Sequence, residues 1–164
     1  MIIRKAVIRD VDAIFELIDL YANENLLLPR THLSLYENIQ CIRVVEQDGE
    51  IIAAGGLHVL GKDLAEVRSL VVNEKAKGIG IGKKIVFALI EDADTLGVEN
   101  VFSMTYQVDF FKKCGFKIID KQELPQKIWK DCMSCPKFLN CDETALLIKV
   151  ADYKKEYRDS KSYL

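Results

Sequence analysis

The sequence contains no run of apolar residues close to the roughly 18 that a membrane-spanning helix needs. Its N-terminus, MIIRKAVIRD, interrupts an apolar run at Arg4 and Lys5, so it does not have the hydrophobic region of a secretory signal. A strong charge of either sign is also lacking, because the formal net charge is −2 over 164 residues. This near balance argues against nucleic acid as a partner. We therefore expect a cytoplasmic protein with neither a membrane nor a nucleic acid among its partners.

Internal repeats, low-complexity linkers and Pro/Gly-rich boundaries are absent as well. Hydrophobic residues make up 49% of the chain and charged residues 29%, which is typical of a globular protein. The length suits one domain with a real core. We expect that domain over residues 1–150, followed by a tail over 151–164 that is too charged to be core and is either a frayed helix or disordered.

The spacing of apolar residues predicts an α+β fold. Asp48-Gly49 is a strong signal for a two-residue turn, so segments 41–47 and 50–60 are expected to form a hairpin. Asp10 and Thr31 are candidate caps of two helices. A strand over 65–72, a helix over 82–96 and a strand over 100–106 form a crossover after the hairpins. The predicted sheet is therefore mixed but mostly antiparallel, with helices on both faces.

The most informative segment joins the strand over 65–72 to the helix over 82–96. Gly78, Gly80 and Gly82 alternate there, and glycine permits positive φ and close approach of a ligand. Backbone N–H groups at the start of a helix suit a phosphate. A glycine-rich helix start without a ligand is the alternative, but several lysines add positive charge here: Lys75, Lys77, Lys83 and Lys84. A dinucleotide-binding fold fits poorly because antiparallel strands come first, and the Gly-Lys-Ser/Thr of a P-loop is missing.

Two motifs resemble the GNAT superfamily of N-acetyltransferases. Its pyrophosphate motif, Arg/Gln-x-x-Gly-x-Gly/Ala, is similar to residues 77–82, with lysine at the first position. Residues 110–116, FFKKCGF, resemble its F-Y-x-x-x-G-F segment. Three shorter matches, at 28–31, 65–70 and 124–125, look like the acetyltransferase domain of the N-acetylglutamate synthases of arginine biosynthesis.

The resemblance implies a GNAT fold in which two central strands, here 65–72 and 100–106, splay apart around acetyl-CoA as co-substrate. A backbone N–H near Leu70 or Val71 would then polarise the thioester oxygen. The cofactor-binding residues implied in this way are Leu70, Val71, Val72, Lys77, Gly78, Ile79, Gly80, Ile81, Gly82 and Lys83.

Acetyl transfer by direct attack needs a neutral amine, so a base must first remove a proton from the ammonium form. Glu66 is the candidate base, and a solvated carboxylate at the sheet edge is the alternative interpretation. Phe111 stands where the family has a tyrosine as general acid. Tyr106 and Ser103 are possible substitutes, or the thiolate leaves with help from water. Cys114 is expected to be a buried structural residue.

A glutamate acceptor carries two carboxylates, for which the planar guanidinium of arginine is well suited. Arg30 and Arg68 are the candidates, with an ion pair to Glu66 as the alternative role of Arg68. His58 is interpreted as a packing residue. The resemblance implies the first step of arginine biosynthesis. The alternatives are an N-acetyltransferase for another amino acid or a polyamine, and a non-catalytic acetyl-CoA sensor or metal-binding module. A homodimer is also expected, since dimers are common among similar folds.

Cys132, Cys135 and Cys141 form a C-x2-C-x5-C pattern near the C-terminus. Such spacing is compatible with zinc or an iron–sulfur cluster, both of which normally take four ligands. Asp142, Glu143 or Cys114 could supply the fourth. Reduced or redox-sensitive thiols are the alternative interpretation.

Overall fold

A computed structural model describes residues 1–24, 27, 29–124 and 142–159 of the chain. The described strands are β1 (Ile2–Lys5), β2 (Ile42–Gln47), β3 (Glu50–Gly61), β4 (Leu64–Val72), β5 (Asn100–Thr105), β6 (Lys117–Ile119) and β7 (Thr144–Lys149). The α-helices are α1 (Val11–Asn23), α2 (His32–Glu37), α3 (Ile81–Leu96), α4 (Val108–Lys113) and α5 (Val150–Tyr153).

The seven strands follow the order β1-β2-β3-β4-β5-β7-β6. The pairs β1–β2, β2–β3, β5–β7 and β6–β7 are antiparallel, whereas β4 and β5 are parallel. The parallel pairing joins Leu64–Glu66 to residues 100–102. This mixed, mostly antiparallel sheet confirms the fold class predicted from the sequence.

Local sequence signals account for several of these elements. Asp48 and Gly49 have φ values of 52° and 79°, the left-handed pair that a two-residue hairpin turn needs. Helix α3 ends at Leu96 and is followed by Gly97, whose φ is 81°. Asp10 precedes α1 as predicted, but its carboxylate accepts hydrogen bonds from the Arg4 guanidinium and the Val7 N–H instead of capping the helix.

The chain divides into two compact units. Unit 1 comprises Met1–His58 and Val67–Asp92. Its core packs α1 and α2 against residues of β2, β3 and β4, and the central members of this cluster are Ile14, Ile18, Leu35, Val44, Ala54 and Val71. Among the described residues, no helix is both long enough and apolar enough to cross a bilayer.

Unit 2 comprises Val59–Glu66 and Ala93–Leu164. Phe102, with an exposed fraction of 0%, lies in its core cluster. The start of the charged tail differs from the expectation of a frayed or disordered segment, because helix α5 continues into a π-helical turn at Lys154–Arg158. Tyr153 is buried, and Asp94 accepts hydrogen bonds from Lys154 and Arg158. An aromatic side chain and a shared carboxylate thus fix a segment whose charge suggested solvent exposure.

Candidate active site

Unit 1 contains a pocket that brings together both predicted acceptor-binding arginines. Arg30 and Arg68 line it, and its empty volume is about 480 Å³ with the open mouth included. The remaining lining residues are Ile14, Ile18, Ser34, Leu35, Asn38, Ile42, Ala54, Gly55, Gly56, His58 and Ser69. No Asp or Glu occurs among these described lining residues, so the pocket favours an anionic ligand.

Arg30 is positioned by the start of α2. Thr31 follows it directly and caps the helix, since the Ser34 N–H donates to Thr31 Oγ1 at 3.0 Å. The predicted cap at Thr31 is therefore confirmed. Arg30 Nε also donates to Ser69 Oγ at 3.4 Å, a long hydrogen bond that joins this part of the chain to β4.

Arg68 and Ser69 both line the pocket, although neighbouring side chains of a regular strand point to opposite faces. The cause is the backbone of Ser69, whose φ is 55°. A left-handed residue breaks the alternation of β4 and redirects the peptide that follows, at Leu70. Non-glycine residues with positive φ are uncommon and concentrate at functional sites.

Gly56 and His58 are pocket residues that the sequence analysis did not assign to the site. A Cβ atom on Gly56 would lie 3.3 Å from His58 Nε2 and 3.6 Å from the carbonyl oxygen of Arg68. The missing side chain therefore keeps this part of the pocket open. The pair Gly55-Gly56 inside a predicted strand was the available signal, because glycine within a strand often marks a close approach.

The glycine-rich segment of unit 1 has the geometry expected of a phosphate-binding loop. Gly78 and Gly80 have φ values of 84° and 82°, and a Cβ atom on either would meet nothing within 4 Å. Helix α3 then starts at Ile81, and the Lys84 N–H donates to the carbonyl oxygen of Gly80. The first N–H groups of any α-helix have no partner inside the helix, so this end can receive an anion.

The other predicted cofactor residues differ in exposure. Ile79 is 64% exposed, whereas Ile81 and Val71 belong to the core. Leu70 and Val72 are half-buried on β4. Lys83 Nζ lies 5.4 Å from the centre of the Phe87 ring. Buried side chains at Val71 and Ile81 leave their backbone groups as the only means by which they would bind a cofactor.

Lys77, at the first position of the motif, is held by two neighbours. Its ammonium forms an ion pair with Glu74 at 2.8 Å and lies 4.8 Å from the centre of the Tyr21 ring. The pKa of Lys77 is raised, first by the hydrogen bond to Glu74 and then by Tyr21. The positive charge is therefore maintained next to the glycines.

The predicted catalytic residues Glu66, Ser103 and Tyr106 belong to unit 2. Glu66 pairs with Phe102 across β4 and β5 and is 9% exposed, which is not the solvated edge carboxylate of the alternative interpretation. Ser103 is buried on β5. Tyr106 is half-buried, and its hydroxyl donates to Asp142 at 2.7 Å.

Phe111 is a core residue of unit 2. Its ring makes edge contacts with Phe110 and Phe116, at centroid distances of 5.0 Å and 5.1 Å. Cys114 is fully buried, as expected of a structural cysteine. A hydrocarbon ring cannot donate a proton, so the position of the family's tyrosine contributes packing here.

The cysteine pattern Cys132, Cys135 and Cys141 lies outside the described residues, so its role stays a prediction. In the part of the chain that the structure describes, His, Cys, Asp and Glu side chains form no group of three that could hold a metal.

Comparison with known proteins shows which protein family the sequence matches. The acetyltransferase (GNAT) family matches residues 11–116. A protein of Chlorobaculum tepidum, named an N-acetyltransferase although its own activity is uncharacterised, is 37% identical over 149 residues, which are 88% of this chain and 94% of that protein. An amino-acid acetyltransferase of Mycobacterium tuberculosis is 35% identical over 133 residues, or 79% of this chain and 76% of that protein.

A solved structure is also similar to this chain, in both sequence and fold. It is a Mycobacterium tuberculosis protein in complex with CoA and a second ligand, with a TM-score of 0.79 and 31% identity. The similarity covers 91% of this chain and 99% of that chain. This chain is therefore similar to the three proteins named here along most of its own length and most of theirs.

Proposed function

This chain belongs to the acetyltransferase (GNAT) family, and from that premise we propose that it transfers the acetyl group of acetyl-CoA to the α-amine of L-glutamate. The family predicted from the sequence is confirmed, and the protein is an acyltransferase. Glutamate as acceptor, and with it the first step of arginine biosynthesis, is our proposal. The cytoplasmic location and the homodimer stay predictions.

The observation that carries the proposal is the pocket in unit 1 with its two arginines. Arg30 and Arg68 line it from different parts of the chain, and its described lining residues include no carboxylate. Glutamate has two carboxylates, and a guanidinium can pair with each of them through two parallel hydrogen bonds. A polyamine would instead meet two like charges there. The relative named amino-acid acetyltransferase supports an amino-acid acceptor.

The glycine loop supports acetyl-CoA as the donor. Open space around Gly78 and Gly80 allows a pyrophosphate to approach the backbone, and the start of α3 supplies N–H groups and a favourable dipole. We propose that residues 77–83 hold the pyrophosphate. The structure of the similar Mycobacterium tuberculosis protein contains CoA, and this supports CoA binding by the present chain.

The proposed chemistry is direct attack of the amine. Glu66, two residues before Arg68, would take the proton from the ammonium form of the acceptor. The neutral nitrogen then attacks the thioester carbon, and a backbone N–H at Leu70 or Val71 would stabilise the oxyanion. When the C–S bond breaks, CoA leaves as a thiolate and takes up a proton from water, from Tyr106 or from Ser103. The nitrogen gives up its second proton to water or to that donor, which forms the amide and restores the donor.

The two arginines allow a direct test. Arg30→Gln and Arg68→Gln should each raise the KM for glutamate about 10- to 100-fold, because a lost charged hydrogen bond is worth about 1.5–3 kcal/mol. The KM for acetyl-CoA should change less than about twofold, since the arginines do not lie in the glycine loop.

Arg9→Gln, at an exposed position before α1, is the matched control and should behave as the parent protein. Unchanged KM values for glutamate in both pocket variants would contradict the proposal. If the true acceptor is another amino acid, the two arginine variants should raise the KM for that acceptor instead.

A further inference from the structure

Tyr21 links helix α1 to the proposed phosphate-binding loop. Its hydroxyl donates a short hydrogen bond to the carbonyl oxygen of Val72, the last residue of β4. The face of its ring lies under the Lys77 ammonium, 4.8 Å from the ring centre. One side chain of α1 therefore contacts both the strand end from which the loop departs and the cation at the start of the glycine motif.

The same face of α1 reaches the acceptor pocket. Ile14 and Ile18 line that pocket, and Tyr21 lies three residues after Ile18 and seven after Ile14, spacings that place side chains on one face of a helix. Because all these residues belong to unit 1, α1 contributes to both the acceptor pocket and the loop.

The two partners of Lys77 differ in what a ligand would do to them. Glu74 is 77% exposed, and its ion pair with Lys77 is a local contact of the i,i+3 type. A pyrophosphate would compete with this carboxylate for the ammonium. The Tyr21 ring carries no formal charge, so a cation above it can bind a phosphate on its open side.

We propose that Tyr21 is a positioning residue for acetyl-CoA, which holds the Lys77 ammonium and the end of β4 in the arrangement that receives the pyrophosphate. The inference rests on the proposed cofactor role of Lys77. A lysine side chain has four rotatable carbon–carbon bonds and loses much rotamer freedom on binding. A ring that already restrains it lowers this cost, which is preorganisation.

Calorimetric titration of the full chain with acetyl-CoA tests this role independently of turnover. Tyr21→Leu removes the ring and the hydroxyl and should weaken the Kd about three- to tenfold. Tyr21→Phe keeps the ring and should weaken it about two- to threefold. With saturating acetyl-CoA, kcat should stay within about twofold of the parent value, because Tyr21 does not act on the reacting atoms. Tyr36→Phe, at an exposed tyrosine of α2, is the matched control and should leave the Kd unchanged.

The decisive comparison is a double-mutant cycle. If the Tyr21 ring acts through Lys77, the double variant Tyr21→Leu/Lys77→Met should bind acetyl-CoA only about two- to threefold more weakly than Lys77→Met alone, the same factor that Tyr21→Phe loses through the hydroxyl. A merely structural role would weaken binding equally in both backgrounds and would overturn the inference. So would an unchanged Kd in Tyr21→Leu. Tyr21→Phe keeps the test valid if Tyr21→Leu fails to fold.

Failure of the proposed cofactor site gives a different result. If Lys77→Met itself binds acetyl-CoA as tightly as the parent protein, then the role of Lys77 is wrong and the inference fails with it. If Lys77→Met weakens binding but neither Tyr21 variant does, the cofactor site stands and only the role of Tyr21 is wrong. Lys75→Met, in the same loop, controls for the loss of a nearby charge.

Discussion

At the scale of single residues, Ser69 shows how one backbone angle builds the pocket. Its φ of 55° interrupts β4, so that Arg68 and Ser69 face the same pocket and Ser69 Oγ accepts a hydrogen bond from Arg30. A serine in a strand pattern gives no signal of positive φ. The strand predicted over 65–72 forms, but the sequence therefore does not show that Arg68 and Ser69 share one pocket.

The conformation of Ser69 predicts an inverted response to substitution. Ser69→Val should lower the free energy of unfolding by about 1–2 kcal/mol, although valine is favoured in regular strands, because a β-branched side chain clashes at positive φ. Ser69→Gly, which tolerates this angle, should stay within about 0.5 kcal/mol of the parent protein. Urea unfolding measures both, and a stabilised valine variant would show that the residue has ordinary strand geometry.

At the scale of elements, the contact between β3 and α3 depends on one of two adjacent glycines. A Cβ atom on Gly55 would lie 2.9 Å from Ile85 Cγ2 and 3.2 Å from Leu70 Cδ1, so helix and strand would have to separate. At Gly56 the nearest atom is His58 Nε2 at 3.3 Å, in the pocket. Both glycines line the pocket, but a side chain at Gly55 would meet the core, whereas one at Gly56 would enter the pocket.

We therefore expect different effects from alanine at these two neighbouring positions. Gly55→Ala should lower the free energy of unfolding by about 1–3 kcal/mol, the usual cost of overpacking a core. Gly56→Ala should cost less stability but raise the KM for glutamate, because its methyl group occupies the pocket. Thermal or urea unfolding and steady-state kinetics distinguish the two. Equal stability losses with an unchanged KM would mean that Gly56 does not border the acceptor.

At the scale of the whole molecule, part of the stability depends on paired carboxylates. The pKa of Asp10 is lowered by the hydrogen bond from Arg4, against the raising effect of burial. Burial raises the pKa of Asp92, but hydrogen bonds from Arg43 and Lys5 lower it below its ordinary value. Groups with a lowered pKa bind fewer protons when folded than when unfolded, so they stabilise the fold above the unfolded pKa, near 4.

This linkage predicts loss of stability in acid. The urea midpoint should fall as the pH drops from about 5 to 3, through and below the unfolded pKa. Asp10→Asn should cost about 1–3 kcal/mol at pH 7 and should flatten this pH dependence, because its carboxylate no longer takes up a proton. Asp109→Asn, at an exposed position, should do neither. If Asp10→Asn loses as much stability between about pH 5 and pH 3 as the parent protein does, then ionisable groups other than Asp10 cause the loss.

Regular elements were predictable from the sequence because their periodicity is local. The helix predicted over 82–96 forms as α3, with Ile85, Leu89 and Ile90 fully buried, and the predicted turn at Asp48 forms. What the sequence could not provide are contacts between distant positions. Tyr21 meets Lys77 only after β4 and α1 have packed, and Lys154 and Arg158 at the start of the tail are held by Asp94, which no local pattern indicates.

Acetyl transfer to glutamate is tested most directly by measuring thiol release from acetyl-CoA with a panel of acceptors. The panel contains glutamate, glutamine, aspartate, ornithine, lysine and spermidine, and the product is identified by mass. We predict the highest kcat/KM with glutamate, with N-acetylglutamate as product. Preference for a cationic acceptor, or acetyl-CoA binding without turnover on any acceptor, would contradict it.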